Sequence, residues 1–444
     1  MNVRKILASC VIALAAFAPQ FAHAVDVKVV PAAKGVEVWF VEDHTVPVVT
    51  MSASIPAGSV YDPRGKEGLA AMAAALMDEG AGKMNSDAYH TALGNKAIQL
   101  SASPSRDYTV VRLVTLAENA KEAFQLLGLA IARPRFDPDA IQRIRAQMIE
   151  SIKQEEQDPP TVAGKAFSRL FFANHPYAHP VGGDIDTLSV ITQNDLRQFA
   201  HAHWVRGGMK VAVSGDIDES TLKTLLGAAF DALPATRPAP PPNVARLGAP
   251  GVHVEPMPVP QPTIEFGLPG ILRADKDFIP AYVANYILGG GGFSSQLMKE
   301  VREKRGLTYG IDTDLNTYSK AGVFVGQVAT KKESVKQTID VIRQVMSNFV
   351  DKGASAAELT DAKTYLTGSF PLAFDSNTGI AAQLNAFQRV GLAPDYIVKR
   401  NDMIEAVTQD DIKRVAKRLF NPAKMTIVVA GGITEAKAPA KSAP

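Results

Sequence analysis

The chain has 444 residues, 46% of them apolar, and carries 47 Lys and Arg against 45 Asp and Glu. That is the composition of an ordinary globular protein large enough for two or more cores. A formal charge of +2 lacks the basic surplus of a duplex binder, and beyond residue 24 no apolar run is long enough to span a bilayer, so nucleic-acid and integral-membrane roles are excluded.

The first segment, MNVRKILASCVIALAAFAPQFAHA, sets Arg4 and Lys5 ahead of an apolar run that ends in Ala22-His23-Ala24. This is the pattern of an export signal over 1–24, cleaved before Val25, and it predicts a periplasmic location. Leu7-Ala8-Ser9-Cys10 superficially resembles a lipoprotein box, but cleavage there would leave most of the apolar segment in place, so no lipid anchor is expected. Loss of the signal removes the two basic residues and the only cysteine, leaving 45 charges of each sign and no thiol for a disulfide, a nucleophile or a metal.

Strands are predicted over VEVWFVED and VPVVTMSASI, then a helix over 67–79 in GLAAMAAALMDEG, with Leu69, Met72, Leu76 and Met77 as core residues. IQLSAS and YTVVRLVTL read as strands, and helices follow near 118–132 and 137–156. Strands grouped before helices favour an α+β arrangement over a doubly wound parallel sheet. In HPYAHP, His175 and His179 have helical ligand spacing, but Pro176 and Pro180 oppose a helix, so both are expected to pack in a loop. His201 and His203 are two apart and diverge on a helix, and His44, His90 and His253 stand isolated.

ITQNDLRQFAHAHWVRGGMKVAVSG (191–215) aligns without a gap to VTQDDIKRVAKRLFNPAKMTIVVAG (407–431) at an offset of 216, and TLAENAKEAF (115–124) matches TKKESVKQTI (330–339) at an offset of 215. In each copy of the longer repeat a Thr should cap an amphipathic helix, and a strand should end at Gly. Two nearly equal offsets indicate duplication of a whole domain. Between the copies, residues 234–262 are crowded with proline and read as an extended linker. The predicted fold is α+β: two homologous sheet-plus-helix domains, 25–233 and 263–433, joined by that linker, with a low-complexity tail at 434–444. In the second half Gly289–Gly292 lack the Gly-Lys-Ser/Thr of a phosphate loop. They are expected to end one helix and make a tight turn, with Ser294 or Ser295 capping the next helix.

VPVVTMSASIPAGSVYDPRGKEGLAAMAAALMDEGAG resembles the opening of the M16 family of zinc peptidases, the pitrilysin, insulinase and mitochondrial processing peptidase group, and ILGGGGFSSQLMKEVREKRGLTYGIDT (287–313) resembles its C-terminal domain. Active members carry His-x-x-Glu-His on the helix after GLA: two imidazoles one turn apart hold Zn²⁺ and the Glu activates its water. Those positions fall here on Ala71, Ala74 and Ala75, and the family's third ligand falls near Glu150, expected here to be a solvated helix charge. No metal and no cofactor are therefore expected in this chain. The family's C-terminal Arg/Tyr pair, which holds the substrate and polarises its scissile carbonyl, is matched by Arg302 and Tyr309. The family's substrate-pairing sheet edge corresponds to IQLSASPSRDYT (98–109). The resemblance implies a chain that is not catalytic alone and that lends Arg302 and Tyr309 to a zinc-bearing H-x-x-E-H homologue cleaving peptides or small proteins; the alternative is a non-enzymatic scaffold or peptide-binding protein.

Overall fold

The structure, a computed structural model, describes residues 26–31 and 36–432, so the predicted export signal and C-terminal tail lie outside the described residues. The first half forms β1 (Lys28–Pro31), β2 (Glu37–Glu42), β3 (Val48–Ile55), a small hairpin of β4 (Gly80–Ala81) and β5 (Met84–Asn85), β6 (Gln99–Pro104), β7 (Thr109–Leu116) and β8 (Lys210–Gly215). The second forms β9 (Gly251–Glu255), β10 (Thr263–Pro269), β11 (Ile311–Thr317), β12 (Gly322–Ala329) and β13 (Thr426–Ala430).

The two sheets are ordered β1-β2-β8-β3-β7-β6 and β11-β12-β10-β13-β9. Without β1, the first matches the second strand for strand, β2-β8-β3-β7-β6 against β9-β13-β10-β12-β11. The pairing senses match too: β2 with β8 and β9 with β13 are parallel, and every other neighbouring pair in the two matched orders is antiparallel. This is the duplicated sheet-plus-helix fold. In the repeated segment Thr192 and Thr408 each accept the N–H of the residue three ahead and close a capping box with Asp195 and Asp411. Both copies end at a glycine with positive φ, Gly215 (142°) and Gly431 (122°), and a Cβ at Gly215 would stand 2.1 Å from Val48 O.

Two features depart from the sequence reading. The stretch 234–262 is not linker throughout: Gly251–Glu255 is an edge strand parallel to β13, with prolines only at its flanks. The halves also exchange helices. The helix Pro159–Phe172 of the first half lies on the second sheet, where Phe167 and Phe171 pack with Val323, Val428 and Ala430. The helix Asn377–Arg389 of the second half lies on the first sheet, where Ile380 and Leu384 pack with Trp39, Val41 and Ala212. Buried hydrogen bonds fix the second contact: Ser54 Oγ donates to Asn385 Oδ1 (2.5 Å), Ser214 Oγ to Asn377 Oδ1 (2.6 Å), and Asn385 Nδ2 to Lys210 O (2.9 Å). Both faces of β3, β8, β10 and β13 are thereby covered, and their burial runs nearly unbroken instead of alternating.

Candidate functional site

Arg302 belongs to a π-helical stretch, Met298–Glu303, in which Lys304 N–H reaches Lys299 O at 3.0 Å. Ahead of it another π stretch, Tyr286–Gly290, is pressed on β11, because a Cβ at Gly289 would lie 2.3 Å from Thr313 Oγ1. Gly292, at φ +56°, makes the turn, and Ser295 Oγ accepts Met298 N–H at 3.3 Å, the cap expected of Ser294 or Ser295. Single π turns of this kind recur at functional sites. The Arg302 guanidinium sits 4.6 Å over the ring of Phe293, itself 65% exposed, and has no acidic partner among the described residues.

Tyr309 is displayed by a pinned loop. Gly306 (φ +61°) donates to Arg302 O at 2.8 Å, and Leu307 donates to Val301 O at 3.0 Å. Leu307 and Ile311 are buried on either side, and the Thr308 hydroxyl reaches Ala329 O at 2.7 Å. The tyrosine between these anchors is 87% exposed. No hydrogen bond joins Arg302 to Tyr309 among the described residues. The two groups offer donors without an acceptor, which suits binding of a carbonyl or a developing oxyanion presented from outside.

Ala71, Ala74 and Ala75 lie on the helix Leu69–Ala75, with Ala71 6% and Ala74 2% exposed. Leu69, Met72, Leu76 and Met77 join the core as expected. The helix begins at Gly68 (φ +94°), and its cap comes from six residues upstream of Gly68: the Asp62 carboxylate accepts Gly68 N–H (2.8 Å) and Ala70 N–H (2.7 Å). Burial pushes the Asp62 carboxyl up to about 7, against the pull of those two bonds. Glu150 is an exposed helix residue whose partner is Lys153 at 3.5 Å, the ordinary surface charge the sequence suggested.

The histidines are structural for the most part. His175 is buried, its Nδ1 accepting Tyr177 N–H (3.1 Å) and its Nε2 lying 3.0 Å from Pro242 O, while His179 is half exposed. His203 packs on the rings of Tyr61 and Phe199, and burial lowers its pKa. His253 Nε2 lies 3.0 Å from Ala249 O. His44 is held between Asp216 (2.5 Å) and Glu42 (3.1 Å), which raise its pKa in that order. His90 is not isolated: with Asp78 and Glu79 it forms the one described group of His and carboxylate ligands close enough to share an ion. Glu79 is already taken, since Arg143 donates to both its oxygens (3.0 and 2.6 Å) and Ser86 to one (2.5 Å). The arginine supplies the positive charge a cation would bring.

The predicted substrate edge is a terminal strand in fact: β6 closes the first sheet beyond β7, and the helix Leu69–Ala75 packs beside it. Its counterpart β11 closes the second sheet. Sequence reasoning missed Phe293 under Arg302, Thr308 and Leu307 under Tyr309, and Asp62 as a cap, because each is recognisable only through a fold-made contact.

Residues 37–184 match a family model described as insulinase (peptidase family M16), and residues 191–366 match one described as the peptidase M16 inactive domain. A Helicobacter pylori protein named non-peptidase homolog YmxG is 28% identical over 353 residues, covering 79% of this chain and 80% of that protein. A Bacillus subtilis protein named uncharacterized zinc protease YmxG is 24% identical over 330 residues, covering 72% and 78%. A crystal structure of a peptidase M16 inactive domain from Pseudomonas fluorescens overlays with a TM-score of 0.87 at 28% identity, covering 92% of this chain and 98% of that one. A protease from Helicobacter pylori shares the fold, with a TM-score of 0.81 at 18% identity over 91% and 99% of the two chains. The relatives' names divide between zinc protease and non-peptidase, and for this chain the alanines at 71, 74 and 75 favour the second.

Proposed function

The chain belongs to the M16 peptidase family, and on that premise we propose that it is the zinc-free subunit of a heteromeric, periplasmic M16-type metallopeptidase. It joins a zinc-bearing H-x-x-E-H homologue and supplies Arg302 and Tyr309 to that partner's site. The partner's His and Glu residues would hold Zn²⁺, which would supply an activated water for hydrolysis of a peptide or small protein. Arg302, permanently charged and seated over Phe293, orients the substrate through its carbonyls or carboxylates. Tyr309 gives one directed hydrogen bond to the oxygen on which charge develops.

One observation carries this reading: a chain with methyl groups where ligands belong keeps a tyrosine pinned on both sides yet 87% exposed. A ring so displayed buries little surface in its own fold and leaves its hydroxyl available to bond another molecule. Mixing the purified chain with its zinc-bearing homologue and following peptide cleavage tests it. Turnover should need both chains, and Tyr309→Phe should lower kcat by roughly 10²-fold, the scale of a single oxyanion donor. Unchanged turnover with both Arg302→Ala and Tyr309→Phe would overturn the catalytic role. Recovery of only unrelated proteins in a pull-down would favour the scaffold reading.

A further inference from the structure

A cavity of about 960 Å³ opens between the two halves, at the far end of β11 from Tyr309. Pro104, which ends β6, and Leu315 to Thr317, which end β11, both line it, together with the proline stretch near 238–241 and the tip of the exchanged helix at Arg389. Its charge is one-sided. Arg106, Arg237, Arg273, Lys320 and Arg389 line it against the single acid Asp107. Asp107 is already bound, accepting from the Tyr177 hydroxyl (2.5 Å) and from Ser319 N–H (2.9 Å). A second groove of similar size, beside Arg305, shows the ordinary balance: Lys299, Lys304, Arg305 and Lys336 face Glu300, Glu333, Asp340 and Glu358.

The five cations of the cleft form no ion pair among the described residues. Arg106 spends its donors on neutral oxygens, those of Tyr177 O (3.2 Å), Ser168 Oγ (2.9 Å) and the Tyr318 hydroxyl (3.3 Å), between the rings of Phe172 and Tyr318. The Arg273 guanidinium lies over the rings of Phe278 (4.3 Å) and Tyr396 (4.9 Å). Arg273 Nη2 and Arg389 Nε are buried without a hydrogen-bond partner. Buried donors left unpaired are costly, and a walled cleft of one sign concentrates ions of the other. Burial also lowers the pKa of Arg389, against the pull of Tyr108 and Asp107.

We propose that this cleft binds the carboxylates of an acidic peptide segment. Guanidinium forks match carboxylates, and β6, which ends in the cleft, closes the first sheet, where an extended peptide can add by main-chain pairing. On β11 that pairing is already taken in part, since Asn285 Nδ2 donates to Thr313 O (3.1 Å) and Ile311 N–H to Met298 Sδ (3.4 Å). Seven residues of β11 span about 23 Å, which is the distance along that strand from the neighbourhood of Tyr309 to the cleft. The site belongs to this chain alone and stands whether or not a zinc-bearing partner exists.

The test is fluorescence anisotropy with the full chain and two labelled peptides, N-acetylated hexaglutamate and hexaglutamine amides. Hexaglutamate should bind at least about tenfold more tightly, and about 0.5 M salt should weaken it. The exposed Arg237→Gln should lose several-fold and the pair Lys320→Gln/Arg389→Gln at least about tenfold, while Lys336→Gln in the balanced groove should change nothing. Equal binding of the two peptides, or hexaglutamate binding that Arg237→Gln and the double variant leave unaltered, would overturn the proposal. So would inorganic phosphate that displaces the peptide at concentrations matching the peptide's own affinity, which would make the cleft a phosphate site.

Discussion

Ala74 is 2% exposed and Ala71 6%, so two of the three alanines at 71, 74 and 75 are core positions, with Ala75 partly exposed. Restoring a ligand type there costs stability before it can gain chemistry: Ala74→Glu buries a carboxylate with no partner and should destabilise by about 3 kcal/mol in urea unfolding. Tyr309→Phe should lie within about 0.5 kcal/mol of wild type, since the ring is 87% exposed. Together the two variants test the division proposed above, in which the alanine face serves the fold and Tyr309 serves another molecule. Arg302 and Tyr309 were readable through family resemblance. What holds them in place, the Phe293 ring under Arg302 and the Thr308 anchor beside Tyr309, has no signature in a string of residues, because each partner is brought in by a turn.

The exchanged helices carry the largest departure from what the sequence implied. Amphipathic patterns located the helix Asn377–Arg389 as little as they did Pro159–Phe172, and nothing in either segment says that it covers the other half's sheet. The clue lay in the strands: Thr50, Ser52, Ser54 and Ser214 are buried to 2% exposure or less, small polar groups on a face that must meet asparagines rather than water. Leu384→Ala, on the exchanged helix, should cost about 2–5 kcal/mol, measured by denaturant unfolding, although its contacts lie in the other half. The reciprocal contact carries a pH signature. Glu265 on β10 points at Gly164 of the helix Pro159–Phe172, 3.2 Å from where a Cβ would stand. Burial raises its carboxyl to about 7, opposed by Gln327 and Arg106. A pKa raised by folding gives stability that is complete below the unfolded value and is lost as pH rises through 7. Glu265→Gln should therefore match wild type at pH 4 and exceed it at pH 8, by no more than about 3 kcal/mol.

At the scale of the molecule, duplication was legible because the repeat at offsets of 215 and 216 preserves strand order and pairing sense throughout both sheets. The linker was legible only as proline; that it ends by adding β9 to the second sheet depends on a vacant edge beside β13. Because each half covers the other's sheet, the chain should unfold in one transition, and residues 26–233 expressed alone should expose Trp39, Val41 and Ala212 and aggregate. No helix among the described residues is long and apolar enough to cross a membrane. The account rests on the claim that this chain cannot hold the metal its family uses. Elemental analysis of the isolated, tag-free chain tests that most directly: the account predicts far less than one zinc per chain and no chelator-sensitive digestion, and stoichiometric zinc with chelator-sensitive peptidase activity would contradict it.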